Sequence, residues 1–130
     1  MYHIHFFMKH EKLVQNICDQ ALETIGVRNL QFKPMQRRGE VNRRTIVLGR
    51  TNLRTGSITI DIFTPRKREP KKISSILKIL CHEVAHHQKK PFRQFYKMHW
   101  IFRQHYPEFY TQVTENIELL KKDTNLKIHF

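Results

Sequence analysis

His82-Glu83-Val84-Ala85-His86 is the stretch whose residue types and spacing point most directly to chemistry. On a helix, two histidines four apart are separated by about 400° of turn, so both imidazoles point the same way, one turn apart. That geometry suits two ligands of a tetrahedral Zn²⁺. Glu83 falls about 60° round from His86, close enough to reach a zinc-bound water without ligating the metal itself. The implied chemistry is hydrolysis of a peptide bond. The metal acidifies a water and polarises the carbonyl. Glu83, as general base, takes the water's proton and later delivers it to the leaving amine. A histidine cation, an arginine or a tyrosine hydroxyl would steady the oxyanion. Tyr96, Tyr106 and His105 are candidates.

Two protein ligands do not hold a catalytic zinc; three plus a water are expected. The chain must therefore turn back after the motif and bring in a third. Phe92 to about Tyr106 reads as a helix, with Pro91 in the favoured first-turn position. On such a helix Phe92, Phe95, His99, Phe102 and Tyr106 share an arc of about 80°. His99 then lies on the inward face and is the first choice. The competing reading of His99 is a buried histidine satisfied by a hydrogen bond. His105 and Glu108 are alternatives; on a regular helix His105 points away from the Phe95–His99 face. His87 points about 100° from His86 and reads as exposed or supporting. His3, His5 and His10 read as surface histidines.

The rest of the pattern must position these groups. Ile73 to about Gln88 is the motif helix, with Ile73, Leu77, Leu80 and Val84 on one face and the histidines roughly opposite. That helix can dock on a core and still present its histidines to a cleft. About His10 to Ile25 reads as an amphipathic helix on Leu13, Ile17, Ala21 (with Leu22) and Ile25, stopped by Gly26. Leu30–Phe32, Thr45–Gly49 and Ser57–Phe63 are strand candidates, the last with Ile58, Ile60 and Ile62 on one face. Met35 to Arg44 reads as a loop. Glu108 to about Lys122 is a last helix with Phe109, Val113, Ile117 and Leu120 as its stripe. The order predicts an α+β fold: an N-terminal helix, a small three-stranded mixed sheet, the motif helix and two further C-terminal helices.

The 130 residues suit one domain, 1–130, with 39% hydrophobic and 27% charged residues. Two cysteines, Cys18 and Cys81, sit in apolar helical patterns and do not make a disulfide framework. No apolar stretch approaches the roughly 20 residues of a membrane span, and Met1–Met8 lacks the pattern of a signal peptide. A soluble, cytoplasmic protein with no membrane partner is expected. The net charge of +13 favours polyanions or reflects simple solubility. Residues 37–72 carry eleven Lys or Arg against three acids, much of it in Arg37-Arg38, Arg43-Arg44 and Arg66-Lys67-Arg68. Such loops suit nucleic-acid phosphates or a plain solvated surface.

The chain resembles the compact H-E-x-x-H zincin metallopeptidases, especially the SprT-like and minimal gluzincin group. The resemblance lies in Gly49-Arg50, the strand Ser57–Phe63, the lead-in Ile76–Leu80, the core His82–His86 and the phenylalanine-rich helix expected after Pro91. It covers roughly residues 45 to 105. It implies that a sheet edge binds an extended peptide by strand addition, with Ser57–Phe63 as that edge, and that the enzyme acts near nucleic acid. SprT-like members commonly place their third histidine in an H-G-P-x-F-like segment; Lys89-Lys90-Pro91-Phe92 keeps the Pro and Phe without the histidine. The alternatives are a basic nucleic-acid-binding domain with a structural or vestigial metal site, and a latent peptidase whose cleft is plugged by Asp123–Phe130.

Overall fold

The computed structural model describes residues 2–35 and 47–130, with side chains of the first helix described from Met8 onward. Its elements run α1 (Tyr2–Ile25), β1 (Gln31–Pro34), β2 (Gly49–Thr51), β3 (Ser57–Ile60), α2 (Ile73–Gln88), β4 (Phe92–Tyr96), β5 (His99–Arg103) and α3 (Pro107–Lys122), with a 3₁₀ turn at Lys127–His129. The class is α+β, as the pattern predicts. The basic pairs Arg37-Arg38 and Arg43-Arg44, most of the expected Met35–Arg44 loop and Thr45-Ile46 lie outside the described residues.

α1 is amphipathic, but its buried stripe is Val14, Cys18, Ala21 and Leu22. Ile17 and Ile25 pack at its margin, and Leu13 is exposed. The stripe is thus rotated by roughly one residue from the expected one. Two apolar sets overlap on this helix, and contact with the sheet selects between them. Gly26 ends the helix at φ 88°, with the amide of Val27 returning to the Leu22 carbonyl. This left-handed cap is the role expected of it.

The three-stranded sheet has the order β1-β3-β2, with β1 parallel and β2 antiparallel to β3. Ile58, Ile60 and Ile62 alternate into the core and meet α2 through Ile76, Leu77, Leu80 and Val84. The apolar face expected of α2 is the face it buries, and the helix spans the expected residues. Two consequences follow from strand order. β3 is the central strand, so Ser57–Phe63 is not a free edge, contrary to expectation. β1 and β2 are the outer strands, and β2 runs beside α2. Just past β3, buried Asp61 holds Arg68 with two bonds of 2.9 and 3.0 Å. One cation of the basic run Arg66-Lys67-Arg68 is therefore committed to the fold.

The segment after Pro91 is not a helix. Phe92–Tyr96 and His99–Arg103 form an antiparallel hairpin in which Phe95 faces Trp100 and Tyr96 faces His99. Lys97 and Met98 make its two-residue turn, both with positive φ (46° and 69°). That is the turn type whose twist matches paired strands. Neither residue is the glycine or asparagine such a turn favours, and each left-handed side chain costs on the order of 1 kcal/mol. Aromatic residues favour strands, and Phe92, Phe95 and Phe102 also happen to repeat at helical spacing. The missing Asn-Gly signal left that ambiguity open in the sequence.

α3 packs on α2. Phe109, Asn116 and Leu120 are its buried residues. Asn116 donates to the Cys81 carbonyl (3.2 Å) and to Gln88 Oε1 (2.8 Å), and accepts from Gln112 (3.1 Å). A buried amide with these partners fixes the register of α3 against the motif helix. The C-terminal segment folds back on the body. Leu126 enters the core, and Thr24 donates to Asp123 at 2.6 Å.

Candidate metal centre

His82 and His86 lie on the face of α2 opposite its core contacts. Their ring centroids are 5.1 Å apart. The third histidine is His105, in the turn between β5 and α3. Its ring lies 5.2 Å from that of His82 and 4.9 Å from that of His86. One ring nitrogen from each of the three comes within 4.8 Å of the others, a spacing that can hold one metal ion.

His99 does not join them. It sits next to the hairpin turn, exposed, with its Nδ1 3.1 Å from the Lys97 carbonyl. Its expected place depended on a helix that the chain does not form. Glu108 is exposed in the first turn of α3 and lies outside the group. His87 is hydrogen-bonded to the Thr51 hydroxyl and ties α2 to β2. His10 is half-buried, not a free surface histidine, with Nε2 3.0 Å from the Ile62 carbonyl. A signal for His105 was present in the chain. His105-Tyr106-Pro107-Glu108-Phe109 carries histidine, proline and phenylalanine in the H-x-P-x-F spacing, directly before a helix.

Aromatic packing holds His105 in place. Phe109 stacks on His86 (4.5 Å, 30°) and meets His82 and His105 edge-on. Tyr110 also stacks on His105 (6.1 Å, 28°). Tyr106 rests on Phe92 and donates its hydroxyl to the Lys90 carbonyl at 3.0 Å. That hydroxyl is engaged away from the cleft, and Tyr96 lies out on the hairpin. Neither tyrosine is among the residues that line the cleft beside the histidines.

The electrostatics favour the neutral forms of His82 and His86. Burial lowers the pKa of His82, and His105 lowers it further. Burial, with repulsion from His82, His105 and His87, pushes His86 down to about 4. An unprotonated imidazole has a lone pair to give, and clustered histidines that resist protonation suit a cation. Glu83 is buried, and desolvation raises its carboxyl to about 7.

These groups open on a cleft of about 430 Å³. His82, Glu83 and His86 form its floor. Gly49, Arg50 and Thr51 of β2 form one wall, and Phe102 and His105 stand opposite. Gly49 permits the close approach of strand and helix. A Cβ there would lie 2.7 Å from Ile79 Cγ2 and 3.3 Å from Glu83 Oε1. Gly49→Ala is therefore expected to push β2 off α2, destabilising the fold by about 1–3 kcal/mol and disturbing Glu83. Chemical denaturation with a full activity assay checks both effects; an unchanged midpoint would mean the contact is easily relieved.

Comparison with protein-family models, with curated proteins and with solved structures finds no match for the chain.

Proposed function

We propose that the protein is a zinc-dependent metallopeptidase of the compact H-E-x-x-H kind, with His82, His86 and His105 as ligands and Glu83 as general base. The observation that carries this reading is the convergence of three imidazole nitrogens within 4.8 Å of one another, beside a buried carboxylate and at the floor of an open cleft. Three nitrogen ligands with room left for a water are the pattern of a catalytic zinc; a structural zinc is closed by four protein ligands. Held by His82, His86 and His105, a zinc ion would supply an acidified water and polarisation of a peptide carbonyl. Glu83 accepts the proton of the attacking water and passes it to the leaving nitrogen. A carboxyl lifted towards neutrality suits both halves of that transfer. Arg50 brings a cation to the cleft wall.

Among the described residues the outer side of β2 is unpaired beside the site, so an extended substrate adds to Gly49–Thr51 and lies across the histidines. This replaces Ser57–Phe63 as the substrate edge. The tail Asp123–Phe130 contributes no residue to the cleft lining, which speaks against a plug. The two buried thiols, Cys18 and Cys81, fit a reducing, cytoplasmic setting. The H-x-P-x-F spacing at His105 supports the likeness to SprT-like peptidases.

The test is metal removal. Dialysis against a chelator is expected to abolish cleavage of an unfolded protein substrate, and equimolar Zn²⁺ to restore it. Cleavage that survives in metal-free protein would sink the proposal.

A further inference from the structure

The β4–β5 hairpin makes an unusual use of its residues. A two-stranded hairpin is marginal alone, and it normally hides one face. Here all five residues of β4 are exposed, and β4 and β5 pack chiefly on each other. Residues opposite one another across the pair share a face. Arg93, Phe95, Trp100 and Phe102 therefore form one side, with Phe95 and Trp100 in contact at 5.3 Å. Phe95 is 56%, Phe102 62% and Trp100 66% exposed, and Met98 at the tip is 87% exposed. Among the described residues no element covers this apolar surface.

Two further features say what would cover it. The chain carries no Asp or Glu from Val84 to Pro107, but it has Lys89, Lys90, Arg93, Lys97 and Arg103. That charge favours an anionic partner for this arm. The turn itself places Lys97 and Met98 in left-handed conformations that glycine or asparagine would adopt more easily. What these residues add is their side chains, a cation and an apolar group at the most distant point. Base stacking calls for flat rings held apart. Here the rings pack on one another, and the tip is a flexible thioether. An apolar tip, aromatic sides and a cationic surround match the boundary between acyl chains and anionic headgroups.

We propose that the Phe92–Arg103 hairpin is a membrane-docking arm that inserts Met98, Phe95 and Trp100 into the interface of an anionic lipid bilayer. It does not cross the membrane, and among the described residues no helix is long and apolar enough to do so. The sequence pattern concealed this surface, because a helix over the same residues would have turned its aromatics inward. Phe102 belongs both to the arm and to the cleft wall, so docking brings the cleft to the bilayer surface. The proposal does not depend on the peptidase reading.

Trp100 is the only tryptophan in the chain, so its emission reports on the arm directly. Vesicles containing phosphatidylglycerol are expected to shift that emission to the blue and to carry the protein upward in a flotation gradient. Pure phosphatidylcholine vesicles should do neither. Met98→Asn removes the apolar tip and places a residue that tolerates the turn, so it should fold as the parent does. It is expected to bind about tenfold more weakly, the effect of losing one buried apolar side chain. Anionic vesicles that bind without moving Trp100 emission would overturn insertion. Equal binding by Met98→Asn would overturn it too. A single-stranded oligonucleotide that quenches Trp100, where vesicles have no effect, would reassign the arm to nucleic acid.

Discussion

His105→Ala is expected to lower metal affinity by about two orders of magnitude, and His99→Ala to leave it unchanged. Apparent zinc affinities of roughly 10–16 kcal/mol in four-ligand sites amount to about 3 kcal/mol per ligand, or roughly a hundredfold per ligand lost. His105 offers a nitrogen within 4.8 Å of those of His82 and His86, while His99 is beside the hairpin turn, facing the Lys97 carbonyl. Competition titration against a chromogenic chelator measures both variants directly. Thermal unfolding gives a second readout, because a ligand that binds only the folded state raises its stability in proportion to log affinity. Zinc should stabilise His99→Ala as much as the parent and His105→Ala far less. If His105→Ala keeps parental affinity, the three-histidine centre is wrong.

The second large effect is at Glu83, and it has two signs. Glu83→Gln keeps the shape of the side chain and all three histidines, so zinc binding should persist. Cleavage should fall by a factor of about 10² to 10⁴, the usual contribution of a positioned general base. Undiminished turnover in a zinc-loaded variant would eliminate the mechanism. In the metal-free protein the same substitution should stabilise the fold. Burial raises the carboxyl from 4.5 to about 7, so the folded state binds this proton more tightly than the unfolded state does. The favourable term is complete below about pH 4.5 and is lost as pH rises through about 7. Above that, the protein carries a carboxylate with poor solvation. Glutamine is uncharged at every pH. Metal-free Glu83→Gln should therefore exceed the parent by about 1–2 kcal/mol at pH 8, a value discounted because the carboxyl faces an open cleft. At pH 4 the two should coincide. Urea denaturation at both pH values measures the difference, and a variant less stable than the parent at pH 8 would mean that Glu83 has a compensating partner.

Both predictions depend on residues of different legibility. His82, Glu83 and His86 could be placed from the sequence because their relation is local. Helical rotation alone puts two imidazoles on one side and Leu80 and Val84 on the other, whatever the helix packs against. α2 has the expected span for the same reason, and α3 differs only by the inclusion of Pro107. His105 is a different case. Its position is set by a hairpin that returns the chain to α2, and by Phe109 and Tyr110 stacked around the imidazole. None of these contacts has a periodicity to reveal it.

The sequence by itself determined an α+β chain with a helix carrying two histidines and a glutamate on its cleft side, because helical periodicity is a property of neighbours along the chain. Tertiary structure decided that His105 rather than His99 joins His82 and His86, which strand lies beside the cleft, and the exposure of the aromatic arm. Spacings at Phe92, Phe95 and Phe102 served helix and strand equally well, and strand order joins residues distant in sequence. Such choices are settled by contacts between elements, which local residue patterns do not encode.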